Sequence, residues 1–369
     1  MIVECPNISF SLCNLSLRNN RVSQLPSISI KRKGTTETKA TCFGSVLVKK
    51  MNRENKLLFV YNPRSGKGQI KNKLSEILNI FAGAGYEITV RPTQCEKDAY
   101  ETIKNTGANY GMIVSSGGDG TLNESFHGIM EFPLEERPFF GYIPTGSTND
   151  FASTLSISKN PVTAAKGIVK GKKFWCDVGK ASTGYFAYVA AFGAFTNVAY
   201  DTPQETKNAL GHIAYILEGL KSLANLESYR VKVQYVDEDG KIREFEDEFI
   251  YGMISNTESV GGMNLLKKSE IDLQDGMFEA LLVRNPENPI ELQQTINALV
   301  TKDFSSDRFY FFRTNTVEFQ GESEISWTLD GEYGGTLKEM KIENIAKAIC
   351  MRYKPIRRRI LLSKDEFED

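Results

Sequence analysis

The chain has 369 residues, 25% charged and 41% hydrophobic, and its 45 Lys and Arg nearly cancel its 46 Asp and Glu to leave a net charge of -1. That length suits two domains of ordinary size, and normal apolar content with almost no net charge excludes a disordered, collagenous or disulfide-stapled chain. The missing basic excess argues against a nucleic-acid binder, and His127 and His212 are too few and too far apart for a multi-histidine zinc site.

The neutral total hides an asymmetry. Residues 1–53 carry nine basic and two acidic side chains, a balance of +7 that leaves -8 on the rest. This segment is rich in Ser and Asn and lacks sustained periodicity. It reads as a disordered or spurious N-terminal extension ahead of a start at Met51, with a transit peptide as the functional alternative. Cys5, Cys13, Cys42, Cys95, Cys176 and Cys350 form no CxxC pair, which points to reduced thiols. No run reaches the roughly 18 apolar residues of a membrane helix.

From Lys56 onward strands and helices alternate. Residues 57–61 are an apolar run closed by Asn62-Pro63, which predicts a buried strand and a turn. Leu74, Ile77, Leu78 and Phe81 repeat at helical spacing, giving a helix over 69–82 that Gly83 and Gly85 stop. Strands follow at 86–91, 111–115 and 139–143, with helices at 97–105 and 121–130 between them. Short connections in this alternation predict a doubly wound α/β domain with a parallel sheet over residues 54–155.

Further on, a helix at 162–169 leads to strands at 174–178 and 185–192 and a long helix near 204–225. Strands at 229–235 and 243–253 flank the turn signal Asp237-Glu238-Asp239-Gly240, and others follow at 278–284, 309–319, 325–329 and 338–343. These predict an antiparallel β-sandwich domain over 156–345, and residues 346–369 a C-terminal segment free to pack back on the first domain.

In a parallel α/β sheet, ligands bind at the carboxyl ends of the strands. Three loops there are rich in Gly and small polar residues: Asn62-Pro63-Arg64-Ser65-Gly66-Lys67-Gly68, Gly117-Gly118-Asp119-Gly120-Thr121, and Pro144-Thr145-Gly146-Ser147-Thr148-Asn149-Asp150. Glycines let backbone N–H groups approach an anion, and the helix that each loop opens favours negative charge at its N-terminus. No GxxxxGK[ST] and no GxGxxG after a strand is present, which disfavours a P-loop NTPase or a dinucleotide-dependent dehydrogenase.

Gly117-Gly118-Asp119-Gly120-Thr121 with Leu122 and Asn123 resembles the nucleotide motif of the diacylglycerol kinase catalytic family, whose fold is shared with NAD kinases. Asn62 to Gly66, Pro144 to Ala152, Asp177-Val178-Gly179, Tyr185-Phe186, Asp275-Gly276 and Asp330-Gly331-Glu332-Tyr333-Gly334-Gly335 continue the resemblance in order over residues 56–345. It is closest to the soluble bacterial lipid kinases. An NAD kinase is disfavoured, because Asn123-Glu124 follows the Gly-Gly-Asp-Gly loop directly.

The resemblance implies an ATP-dependent lipid kinase turning diacylglycerol into phosphatidic acid. Phosphoryl transfer to an alcohol needs a nucleotide cradle, a divalent cation and a base at the hydroxyl. ATP is then expected on Asn62, Ser65, Gly66, Thr93, Gly117, Gly118, Asp119, Gly120, Thr121, Leu122, Asn123 and Ser147. Asp119 would position Mg²⁺ with ATP, supported by an acidic network of Lys67, Asp150 and Asp177. Glu332, after the Asp330-Gly331 turn signal, is the expected general base. Asp275, with the carbonyls of Asp272 and Met277, is the expected structural metal site.

The family further implies a role in phospholipid biosynthesis, a cytoplasmic location with peripheral contact at the inner membrane face, and a homodimer. Arg357-Arg358-Arg359 and Lys267-Lys268 are candidate membrane patches, and Ala187, Ala190, Ala191 and Gly193 candidate linings of an acyl-chain slot. The alternatives are a kinase of another lipid alcohol, such as a sphingoid base, and a non-catalytic lipid- or nucleotide-binding regulator.

Overall fold

The computed structural model describes residues 53–66, 68–194, 227–257, 272–301 and 303–356, together with the pairs 4–5, 8–9, 259–260 and 263–264. Lys67, His212, the helix expected near 204–225 and the basic patches at Lys267-Lys268 and Arg357-Arg358-Arg359 lie outside the described residues. In the unit Met1–Val46, Glu4–Cys5 pairs with Ile8–Ser9. The other unit, Leu47–Asp369, holds everything that follows.

Strand β1 (Lys56–Tyr61) is parallel to both β2 (Glu87–Pro92) and β3 (Met112–Gly117), and β3 is parallel to β4 (Phe139–Pro144). Leu57, Leu58, Phe59 and Val60 are all buried, as a strand covered on both faces requires. Helices α1 (Gln69–Gly83), α2 (Asp98–Thr106) and α3 (Asp119–Met130) make the connections. Helix α1 buries Ile70, Ile77 and Phe81 and gives way to Gly85 at φ +89°, a conformation glycine adopts without strain. The short α4 (Asp150–Thr154) precedes α5 (Pro161–Lys170), which is capped by Asn160 accepting from the Thr163 amide.

The remaining strands are β5 (Lys172–Ala181), β6 (Gly184–Phe186), β7 (Val189–Gly193), β8 (Tyr229–Val236), β9 (Ile242–Ser255), β10 (Phe278–Arg284), β11 (Phe309–Thr314), β12 (Thr316–Leu329) and β13 (Glu332–Tyr353). Their mutual pairings are antiparallel, in the order β11-β10-β9-β8-β12-β13, with β7 between β9 and β12 and β5 beside β13. The end of β13 then runs parallel to β4 at Met351 and Phe140, so among the described residues thirteen strands share one hydrogen-bonded sheet. The protein is mixed α/β with a sheet-rich C-terminal part. Its buried apolar residues form two clusters, one including Phe59, Phe126 and Phe140, the other Phe192, Phe319 and Trp327.

Three elements differ from the sequence expectation for local reasons. The strand expected over 309–319 is two strands, because Thr314 Oγ1 accepts from the Thr316 amide and donates to the Thr316 carbonyl, turning the chain at Asn315. The strand expected over 185–192 is interrupted at Ala187 and Tyr188, whose amides leave the ladder to bind Asp330. Helix α6 (Pro289–Thr301) was not expected, although Asn288 caps it by accepting from the Ile290 and Glu291 amides. Ala187, Ala190 and Ala191 are buried among core side chains.

Candidate active site

The carboxyl ends of β1, β3 and β4 are stitched to one another through the backbone. The Asn62 amide donates to the Ser116 carbonyl and the Thr145 amide to the Gly117 carbonyl, both at 2.8 Å. Asn62 Oδ1 accepts from the Arg64 amide at 2.9 Å, an Asx turn that folds the first loop back, and its Nδ2 lies 3.5 Å from Thr121 Oγ1. Gly66 stands at φ +54° where a Cβ would collide with the Thr145 carbonyl, and a Cβ on Gly146 would lie 2.5 Å from Gly118 Cα. These glycines therefore let the three loops close on one another.

Ser65 is buried, Thr93 half-buried and Ser147 exposed. Ser116 Oγ, Thr145 Oγ1 and Asp119 Oδ1 are buried and have no hydrogen-bond partner. Unpaired buried polar atoms are costly and scarce, and these three converge on the strand ends where the loops would hold an anion.

Asp119 opens α3. Its Oδ2 accepts from the Asn149 amide at 2.9 Å, and Asn149 is fixed by a reciprocal pair of bonds with the Gly146 backbone. Burial first, and then the neighbouring Asp150 carboxylate, push Asp119 up to about 7. Among the described residues no group of three or more acidic, histidine or cysteine side chains is placed to hold a metal ion; Asp119 offers one unpartnered buried carboxylate oxygen beside Asp150, the kind of ligand a hard divalent cation takes. Tyr188 belongs to the same centre, for Asp119, Asp330 and Asp150 all raise its phenol after burial itself.

The hairpin between β12 and β13 turns on Asp330 and Gly331, at φ +53° and +86°, with Leu329 facing Glu332. Two consecutive positive φ values are what a tight two-residue hairpin demands, and Asp-Gly supplies them at little strain. The buried Asp330 carboxylate accepts four hydrogen bonds: from Asn123 Nδ2 and from the amides of Ala187, Tyr188 and Val189, at 2.7–3.1 Å. Two residues on, the Glu332 carboxylate reaches the glycine loop, so that a Cβ built on Gly120 would lie 2.9 Å from its Oε1. Glu332 is an exposed residue, and partial desolvation of its carboxylate, then Glu96, Glu124 and Asp330, raise it above the ordinary carboxylate range.

The other expected site residues have different surroundings. Leu122 is fully buried in the apolar core. Asn123 spends its amide on Asp330 and the Tyr185 carbonyl. His127 bonds the Asn123 carbonyl through Nδ1 and accepts the Tyr185 amide at Nε2, 2.9 Å away, which leaves its ring structurally engaged. Asp177 stands apart from the expected network with Asp119 and Asp150: its carboxylate accepts from the Gly276 and Lys347 amides, both at 2.7 Å. Burial pushes it up to about 6, with Asp275 and Asp272 as its charged neighbours.

The turn at Asp272 to Met277 departs from the expected metal-ligand set. Asp275 forms an ion pair with Arg313, which also meets Glu238 and the buried Glu279, and the Met277 carbonyl accepts from Asn344 Nδ2 at 3.2 Å. A guanidinium already meets these carboxylates, and among the described residues no group of three or more potential ligands is placed here to hold a metal ion. Asp330 and Arg313 were the residues that sequence reading missed as organisers. The Asp-Gly turn signal marks the first, whereas nothing local marks the second.

A glycine-rich anion cradle faced by carboxylates, in an α/β half continuous with a sheet-rich half, suits a protein that binds phosphate groups. Residues 56–181 match the model of the diacylglycerol kinase catalytic domain. The diacylglycerol kinase of Bacillus subtilis (strain 168) is 34% identical over 280 residues, covering 75% of this chain and 90% of the relative. That of Staphylococcus aureus (strain MRSA252) is 32% identical, with coverage of 75% and 86%. A crystal structure of a diacylglycerol kinase from Bacillus anthracis (strain Sterne) superposes with a TM-score of 0.67 at 27% identity, covering 82% of this chain and 97% of the other. The chain belongs to the diacylglycerol kinase catalytic-domain family.

Proposed function

We propose that this chain is an ATP- and Mg²⁺-dependent lipid kinase that phosphorylates the primary hydroxyl of diacylglycerol to give phosphatidic acid at a membrane surface. On this reading residues 54–155 are the nucleotide half and residues 156–345 the lipid-facing half, an antiparallel sandwich. The observation that carries it is the position of Glu332 over Gly120, which puts a basic carboxylate from the sheet-rich half against the glycine loop of the nucleotide half.

Asn62, Ser65, Gly66, Thr121 and the amides opening α3 would cradle the phosphates, with Ser116 Oγ and Thr145 Oγ1 as spare hydroxyls. Asp119, next to Asp150, would hold the cation, which supplies charge neutralisation on the phosphates when bound. Glu332 takes the proton as the acceptor oxygen bonds to the γ-phosphorus and the bond to the ADP oxygen breaks. Its raised pKa makes it a stronger base than an ordinary carboxylate.

The purified chain, given Mg·ATP and diacylglycerol in mixed micelles, should form phosphatidic acid, and Glu332→Gln should slow it by roughly 10²–10⁴-fold. Absence of product, with Glu332→Gln indistinguishable from wild type, would remove this reading. A panel of acceptors that includes a sphingoid base separates diacylglycerol from other lipid alcohols.

A further inference from the structure

Asn256 follows the last residue of β9. Its amide donates to the Tyr188 carbonyl at 3.0 Å, one step beyond the pairing of Ser255 with Val189. On the opposite edge of residues 187–189 sits Asp330, so the segment carrying Tyr188 lies between Asn256 and the hairpin that presents Glu332. Two strand spacings, about 10 Å, separate the two flanking backbones. Asn256 is thus joined through its backbone amide to Tyr188, the residue whose phenol burial and then the charges of Asp119, Asp330 and Asp150 all raise.

The side chain of Asn256 is 1% exposed, yet neither its Nδ2 nor its Oδ1 has a partner. Its polar neighbours are satisfied among themselves. Ser255 Oγ shares its one hydrogen between the Tyr188 and Thr257 carbonyls, each 3.2 Å away, and accepts from the Thr257 amide, and Thr257 bonds Thr154, in the helix that opens on Asp150. A carboxamide left out of a network in which its neighbours participate costs stability for no structural return, since buried polar groups are normally bonded.

We propose that Asn256 binds the polar head of the acceptor, its carboxamide hydrogen-bonding the glycerol oxygens of diacylglycerol. This rests on the lipid-kinase reading above. An amide offers one acceptor and two donors. A hydroxy-ester head satisfies both sides, through an alcohol that donates and accepts and an ester carbonyl that accepts. A phosphate engages the donor side alone and a metal ion the acceptor side alone.

The test varies diacylglycerol and ATP separately in mixed micelles for wild type and Asn256→Leu, and follows thermal unfolding of both. The expected result is a KM for the lipid raised about tenfold or more, a KM for ATP within about twofold of wild type, and a Tm equal or higher because an unpaired buried amide has gone. Should Asn256→Leu fail to fold, Asn256→Ser carries the same comparison. Wild-type turnover with an unchanged lipid KM in the variant overturns this proposal alone, as does a lowered Tm with unchanged kinetics, which would mark a structural amide. A wild-type chain that phosphorylates no diacylglycerol overturns the acceptor reading beneath it, a result visible without any variant.

Discussion

Asn123 and Asp330, 207 positions apart in the chain, share a buried hydrogen bond of 2.8 Å from Nδ2 to Oδ2. It fastens the helix of the glycine loop to the hairpin that carries Glu332. Three backbone amides converge on the same carboxylate, so the hairpin that carries the proposed base is anchored by its neighbour Asp330.

Asp330→Asn keeps the left-handed backbone, which Asn tolerates, but turns an amide group toward four donors. Loss of about 2 kcal/mol of stability is expected, the scale of hydrogen bonds to a charged group, together with reduced turnover. Urea unfolding of Asp330→Asn, Asn123→Ala and the double variant measures it. Additive losses would mean that the two side chains do not act as a unit.

The pH profile follows from Glu332. A base must be ionised to act, and partial desolvation with Glu96, Glu124 and Asp330 raises its pKa. The acidic limb of kcat against pH is therefore expected above the ordinary carboxylate range, with activity falling as pH drops through it. Glu96→Gln removes one repelling charge and should move that limb to lower pH, whereas an unmoved limb would assign it to another group.

Two glycines should respond differently to alanine. At Gly120 the added methyl meets only the end of a flexible side chain, Glu332 Oε1. Gly120→Ala should fold at least as well as wild type, since Ala is favoured over Gly in a helix by about 1 kcal/mol, while turnover falls. At Gly146 the methyl meets the Gly118 backbone at 2.5 Å, so Gly146→Ala should lower Tm and activity together. Calorimetry beside steady-state rates separates the two cases.

Arg313 is expected to hold the Asp275 turn without help from a divalent ion. EDTA should leave the Tm of the nucleotide-free protein unchanged, while Arg313→Met should cost about 1 kcal/mol, chiefly by leaving the partly exposed Asp275 carboxylate unpaired. Burial pushes Glu279 up to about 8 even with Arg313 pulling it down. The folded chain thus favours the protonated acid, a stabilisation complete below the ordinary value of 4.5 and lost as pH rises through 8. Tm should decline across that window, and Glu279→Gln should flatten the decline. A fall of several degrees in EDTA would show that a metal, not Arg313, closes this turn.

Much of this molecule is legible from neighbouring residues. The apolar run at Leu57 to Val60, the helical spacing of Ile77 and Phe81, the Asp237 to Gly240 turn and the Asp330-Gly331 hairpin each obey rules acting within a few positions. So do the three glycine-rich loops. The breaks at Asn315 and Tyr188 were not legible as strand ends, because a threonine side chain diverts the backbone in one case and a distant carboxylate does so in the other.

By itself the sequence determined which segments become strands and which loops stand at their carboxyl ends. Tertiary structure alone decided that Glu332 reaches Gly120, that Asn123 serves Asp330, that Asp177 faces the Gly276 turn instead of Asp119, and that Asn256 is buried with nothing to bond. Local propensity acts over one turn or one pleat, whereas these pairings join residues 99 to 212 positions apart that meet only once the sheet has brought distant segments together.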